Sequence, residues 1–172
     1  MIRKLLLSIA MLGFCTSAMA GPLYFGGGLG SVDYDVPGFD TSTGIELIVG
    51  GELNPNLSFE ASYIDYGEAD DGIPPVWRLS ATGFTVGALF KAPVNANVDL
   101  LLKLGLNSWD AELREDGFGV IGQDDGTDVF YGFGATMWMN NNVSLGARYN
   151  IYSNIIDGDD ISMFSINVFV HI

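Results

Sequence analysis

Five ionisable residues stand apart from the rest of the chain: Glu46, Glu52, Glu60, Lys103 and Arg148. Each lies in a stretch otherwise rich in apolar and small residues. Together they offer three carboxylates, an amine and a guanidinium. Charges taken out of water are costly unless they pair, so the chemistry on offer is ion pairing. Glu60 is expected to meet Lys103, and Arg148 to face Glu46 or Glu52. Such a network either fills an interior or gates a passage through it, and buried ion pairs are more often structural.

Other constellations are poor. His171 is the only histidine and sits at the chain end, with no evident serine or acid constellation beside it; nucleophilic catalysis needs a nucleophile with a positioned base. The runs Asp157-Gly158-Asp159-Asp160 and Asp124-Asp125-Gly126 resemble pieces of calcium loops but lack the ligand spacing and the closing Glu. Solvated, repulsive loops are the simpler reading of them. No catalytic, cofactor or metal site is read, and the chain is not expected to be an enzyme.

What positions the five charges is a period of two, the signature of strands. Eight segments share it: 22–32, 44–53, 56–66, 79–91, 97–109, 128–139, 142–152 and 161–172. One face of each is apolar and uncharged. It is clearest in Val98, Leu100, Leu102, Leu104 and Leu106, and in Phe164, Ile166, Val168, Val170 and Ile172. The other face holds the five charges among glycine and small polar residues. In "DVFYGFGATMWMN" (128–140), for example, Val129, Tyr131, Phe133, Ala135, Met137 and Met139 alternate with a face that includes Gly132, Gly134 and Thr136. A soluble eight-stranded barrel would bury the apolar face and show the glycines to water. Glycine makes a weak strand surface, yet it suits an eight-stranded bore that is only wide enough for side chains to fill. The apolar side is therefore expected to meet lipid. Trp77, Trp109, Tyr63, Tyr66, Tyr149 and Tyr152 near the strand ends read as interfacial girdle residues, while Trp138 falls on the lumenal phase near the inner rim.

The expected fold is all-β: an eight-stranded antiparallel up-and-down transmembrane β-barrel over 21–172, after a cleaved signal peptide at 1–20. That leader begins with Arg3 and Lys4, runs through "LLLSIAMLGF" and ends at Ala18-Met19-Ala20, the form of an export signal. No later apolar run is long enough for a membrane helix. Short connections at 54–56, 92–97 and 140–142 alternate with longer ones near 33–43, 67–78, 110–127 and 153–160, as in a barrel with short inner turns and long outer loops. The chain carries a formal charge of −14, or −16 without Arg3 and Lys4. Seventeen of its 21 acids fall in or beside the long connections; the other four are Glu46, Glu52, Glu60 and Asp99. Acidity on this scale argues against nucleic acid as a partner.

Three stretches, "VGGELNPNLSFEASY" (49–63), "LLLKLGLNSWDAEL" (100–113) and "VSLGARYNIYSNI" (143–155), resemble the transmembrane domain of the OmpA family. The Gly-Gly, Asn-Pro, Phe-Glu-x-x-Tyr run is the most specific part. The resemblance implies folding by the outer-membrane assembly machinery and paired lumenal charges at positions matched by Glu60 and Lys103. The chain stops at Ile172, without room for the peptidoglycan-binding domain many members carry, and its last residue is not the aromatic common there. The expected partners are outer-membrane lipids and lipopolysaccharide, with the barrel a monomer at the bacterial outer membrane, exported through the secretory pathway. A structural or surface-interaction role comes first. A low-conductance, porin-like small-solute channel and a lipid-modifying barrel enzyme are the alternatives.

Overall fold

A computed structural model describes residues 21–74, 76–156 and 159–172, with the side chain of Ile156 excepted. The expected leader, and Asp157 and Gly158 of the second acidic run, lie outside the described residues. Eight strands follow one another: β1 (Leu23–Asp33), β2 (Ser42–Asn54), β3 (Leu57–Asp70), β4 (Trp77–Asn95), β5 (Val98–Glu115), β6 (Gly119–Trp138), β7 (Val143–Ile156) and β8 (Asp159–His171). Each pairs antiparallel with the next, and β8 closes on β1 from Tyr24↔His171 to Asp33↔Ser162. Closure leaves no sheet edge at membrane depth, the condition a strand must meet to cross lipid.

The side-chain phase is the one expected. Leu29, Leu47, Leu102 and Phe133 are more than half exposed, whereas Glu46, Ser58, Thr85, Ser165 and Asn167 on the alternate face are fully buried. Inward glycines make room for rings. A Cβ on Gly87 would lie 3.0 Å from Cζ of Phe130, and one on Gly146 would lie 2.9 Å from the Phe169 ring. Glycine on the lumenal face is thus the complement of a few large lumenal side chains in a narrow bore.

Several connections are shorter than the sequence suggests. The stretch 110–127, expected as a loop, is mostly strand: β5 and β6 stay paired from Val98↔Met137 up to Glu115↔Gly119. Only Asp116, Gly117 and Phe118 separate them, with Gly117 (φ 89°) and Gly119 (φ 88°) in the left-handed region that glycine tolerates best. β3 likewise runs on to Asp70, and β7 to Ile156. Polar side chains on these extensions hide the strands from a reading based on apolar alternation.

Along β3, β5 and β8 the apolar face changes sides. On β5, outward Leu100, Leu102, Leu104 and Leu106 give way to outward Ser108 and Asp110, while inward Lys103 and Asn107 give way to inward Trp109 and Ala111. On β3, outward Phe59 and Tyr63 are followed by Asp65, and inward Ser58, Glu60 and Ser62 by Ile64 and Tyr66. β8 does the same, from outward Ile166 and Phe164 to Ser162 and from inward Asn167 and Ser165 to Met163 and Ile161. Below the switch the barrel is inside out; above it, polar groups face out and apolar groups in, as in a soluble protein. The switch marks the upper limit of the lipid-facing belt.

Above it lies one apolar core: Val32, Tyr34, Ile64, Tyr66, Ala69, Leu79, Ala81, Trp109, Ala111, Phe130, Tyr152, Ile155, Ile161 and Met163, with Val36, Phe39 and Leu113 against it. This corrects the girdle assignment. Trp109, Tyr66 and Tyr152 are buried in the core; Tyr63 is exposed as expected of a girdle, whereas Trp77, though exposed, pairs with Glu115 well above the switch. The three buried rings lie at the right height but on the inward phase.

Candidate functional site: the lumenal charge cluster

Within the lipid-facing belt, the bore is occupied by residues from six strands. Glu60 (β3) is the hub. Arg148 (β7) grips it with both ends of its guanidinium, Nη1 to Oε2 and Nη2 to Oε1, each at 2.8 Å. Tyr24 (β1) donates its hydroxyl to Glu60 Oε1 at 2.8 Å, and Lys103 (β5) places Nζ 3.0 Å from Oε2. Glu46 (β2) accepts from Asn167 Nδ2 (β8) at 3.2 Å and lies 3.8 Å from the same Lys103 Nζ. The side chains of Glu46 and Glu60 have no exposed surface, and those of Lys103 and Arg148 almost none. Two carboxylates face two cations, so the cluster balances its own charge, as burial demands.

Arg148 meets Glu60, not Glu46 or Glu52 as expected. In a ring of eight, β3 and β7 stand opposite each other, and arginine has the length and the planar fork to cross the bore and take a carboxylate bidentately. Glu52 stays outside the cluster. It sits nearer the mouth, opposite Ser58, and pairs with Lys91 at 2.5 Å. Glu46, Glu60, Lys103 and Arg148 are therefore brought together, and Glu52 is not.

The cluster is packed between rings. The ammonium of Lys103 lies 5.2 Å from the centroid of Phe130 above, and the guanidinium of Arg148 lies 4.6 Å from that of Phe169 below. These are cation–π distances. Tyr24 meets Phe169 edge-on at 5.9 Å, and Ile48 completes this lower apolar group. Tyr24 and Asn167 join the cluster without carrying a charge that would announce them. Their one sequence signal is the inward parity they share with the charged residues.

At the mouth shared by the chain ends and the short turns, Trp138 donates Nε1 to Asp99 Oδ2 at 2.9 Å and meets the His171 ring at a tilt, with centroids 4.3 Å apart. The β7–β8 register also brings Ser144 Oγ to 2.9 Å from His171 Nε2, a neighbour the sequence does not show. Ser144 is fully buried and the ring contacts of His171 are Trp138 and Tyr24, so the pair lacks the access a nucleophile needs. Among the described residues, the runs with a calcium-loop look do not converge either. Asp124 and Asp125 are neighbours on β6 and point to opposite faces, and Asp160 Oδ1 accepts the amide of Asn154.

A closed eight-stranded ring, clothed in apolar side chains and neutralised within, is the architecture of a membrane-spanning barrel of the bacterial outer membrane. The chain belongs to the outer membrane protein beta-barrel domain family, which matches residues 6–171. Solved barrels share the fold. Ail, the attachment invasion locus protein of Yersinia pestis, is 18% identical with a TM-score of 0.61, covering 90% of this chain and 100% of its own. The N-terminal barrel of Pseudomonas aeruginosa OprF is 13% identical with a TM-score of 0.65, covering 87% and 97%. Neisserial surface protein A is 16% identical with a TM-score of 0.62, covering 87% and 95%. No curated protein matches at a significant level by sequence.

Proposed function

We propose that this barrel is a plugged surface scaffold: it anchors acidic β-ribbons outside the outer membrane and does not conduct solutes. The observation that carries the reading is the double filling of the bore, first by the Glu46–Glu60–Lys103–Arg148 cluster and then by the apolar core from Ile64 to Met163. A solute would have to break a buried bidentate ion pair and then displace Phe130, Tyr66 and Tyr152. Residues 1–20 direct export through the secretory pathway and are removed, so that the mature chain starts at Gly21. The short turns and both chain ends then face the periplasm, and the β5–β6 ribbon faces the medium.

Planar-bilayer recording from the refolded, heat-modifiable protein tests the plug. Silence is the expected record. Discrete single-channel steps from the wild type would replace the scaffold with the small-solute channel. Surface protease on whole cells tests the sidedness, with cuts expected between residues 107 and 128 and not at Asn54–Asn56.

A further inference from the structure

The β5–β6 ribbon has a feature the barrel itself lacks: a free strand edge. β6 pairs with β5 from Gly119 onward, but with β7 only from Phe130↔Tyr152. Beyond Tyr152, β7 shifts register at a left-handed Asn154 and returns to β8. Among the described residues, no strand lies against the outer edge of Gly119–Val129. Both faces of this stretch are also open: Val120, Ile121, Gln123, Asp124, Asp125, Thr127 and Val129 are all exposed. All of it but Val129, which pairs with Leu106, stands above the phase switch, outside lipid.

An unpaired edge is a template for another extended chain, and proteins normally guard it with charge. The guard here has one sign. Between Asn107 and Asp128 the ribbon carries seven acids against the single base Arg114, and Arg114 is engaged by Glu112 at 2.9 Å. A second copy would set acid against acid, which is unfavourable across strands. A basic chain would turn the same charges into attraction. We infer that the free edge of β6 over Gly119–Val129 takes up an extended basic polypeptide by strand addition. The partner's side chains alternate basic and apolar, with the basic ones on the face of Asp124 and Asp128 and the apolar ones on the face of Ile121.

The inference rests on the scaffold reading only for the side of the membrane on which the ribbon meets its partner. Binding to the full chain in micelles is independent of that, so the two fail separately. The probes are three short synthetic peptides: alternating Lys and Val, the same with Glu for Lys, and the Lys/Val peptide N-methylated along the pairing edge. The last keeps its charge but loses its backbone donors. The Lys/Val peptide is expected to bind in low salt and to slow amide exchange within 119–129. The N-methylated form should bind about tenfold more weakly, and the Glu/Val form not at all. Asp124→Asn should weaken the Lys/Val peptide about threefold without changing heat-modifiable migration. The inference is overturned by equal binding of the N-methylated peptide, by protection outside 119–129, by no binding to the folded barrel, or by self-association that protects the same amides.

Discussion

The interior has two halves built on opposite principles. Within the lipid-facing belt, the bore is filled by Glu46, Glu60, Lys103 and Arg148 among small polar residues and the Tyr24–Ile48–Phe169 group, while rows of leucine, phenylalanine and valine point out. Above the belt, the bore is filled by Phe130, Tyr66, Tyr152, Trp109 and Ile161, and Ser108, Asp110 and Asp65 point out. The strands run through both halves without interruption, so backbone pairing does not distinguish them. What differs is the medium outside. Where hydrocarbon surrounds the barrel, apolar groups gain nothing by turning inward, and polar groups collect in the bore, where they can pair. Where water surrounds it, burial of apolar surface again drives the packing. Each half should therefore fail in its own way.

The largest expected loss is in the charged half. Arg148→Ala leaves Glu60 with Lys103 and Tyr24 but removes its bidentate partner and unbalances a buried cluster. Breaking such a pair from one side costs about 3–5 kcal/mol, readable as a shift in the urea unfolding midpoint of the barrel in lipid vesicles. Replacing Glu60 and Arg148 together with Gln and Met should recover much of that loss, because no charge is then left alone. A double variant as unstable as the single would mean that the cluster does not act as a pair.

The outer faces sharpen the comparison. Leu104→Arg puts a cation on the lipid side of β5 and should cost about 2–4 kcal/mol, the figure for a base near the midplane of an outer-membrane barrel. Ser108→Arg, four residues along the same face but past the switch, should fall within about 0.5 kcal/mol of wild type, as for an ordinary surface substitution. Equal costs at the two positions would erase the boundary between them.

The period of two makes the fold legible, because alternation sustained over eight segments fits strands and little else. The charged residues are legible as a set for the same reason: charge on a strand whose opposite face is apolar has to point into the bore. Their pairing is not. Which carboxylate Arg148 reaches depends on ring position and stagger, set by eight registers that no single strand reveals. In the upper half two signals compete. Trp109, Tyr66 and Tyr152 lie at girdle height, yet their parity places them inside, and parity decides. Strand continuation past residue 109 escapes the apolar pattern because its outward face is polar, as it should be above the membrane.

Conductance tests the lower half from another side. Lys103→Ala removes one cation while Glu60 keeps Arg148 at 2.8 Å and Glu46 keeps Asn167. If the cluster only fills space, the variant stays silent in planar bilayers, like the wild type. If Lys103 holds a gate shut, single-channel steps appear in the variant alone.

A finer contrast lies at the base of the upper half. Trp109 Nε1 donates to Asp128 Oδ2 at 3.0 Å, tying β5 to β6 just above the switch, while its ring packs in the apolar core. Trp109→Phe keeps most of the apolar area and loses the hydrogen bond, for about 1–2 kcal/mol, since the acceptor is charged but partly solvated. Asp128→Asn keeps an acceptor oxygen and should cost less. Trp109→Ala also empties the ring's place, and should cost about 3–5 kcal/mol. That order, Asn below Phe below Ala, belongs to a water-facing region with an ordinary core. A girdle tryptophan would invert it: lipid would fill the space left by the ring, and the alanine variant would be the mild one.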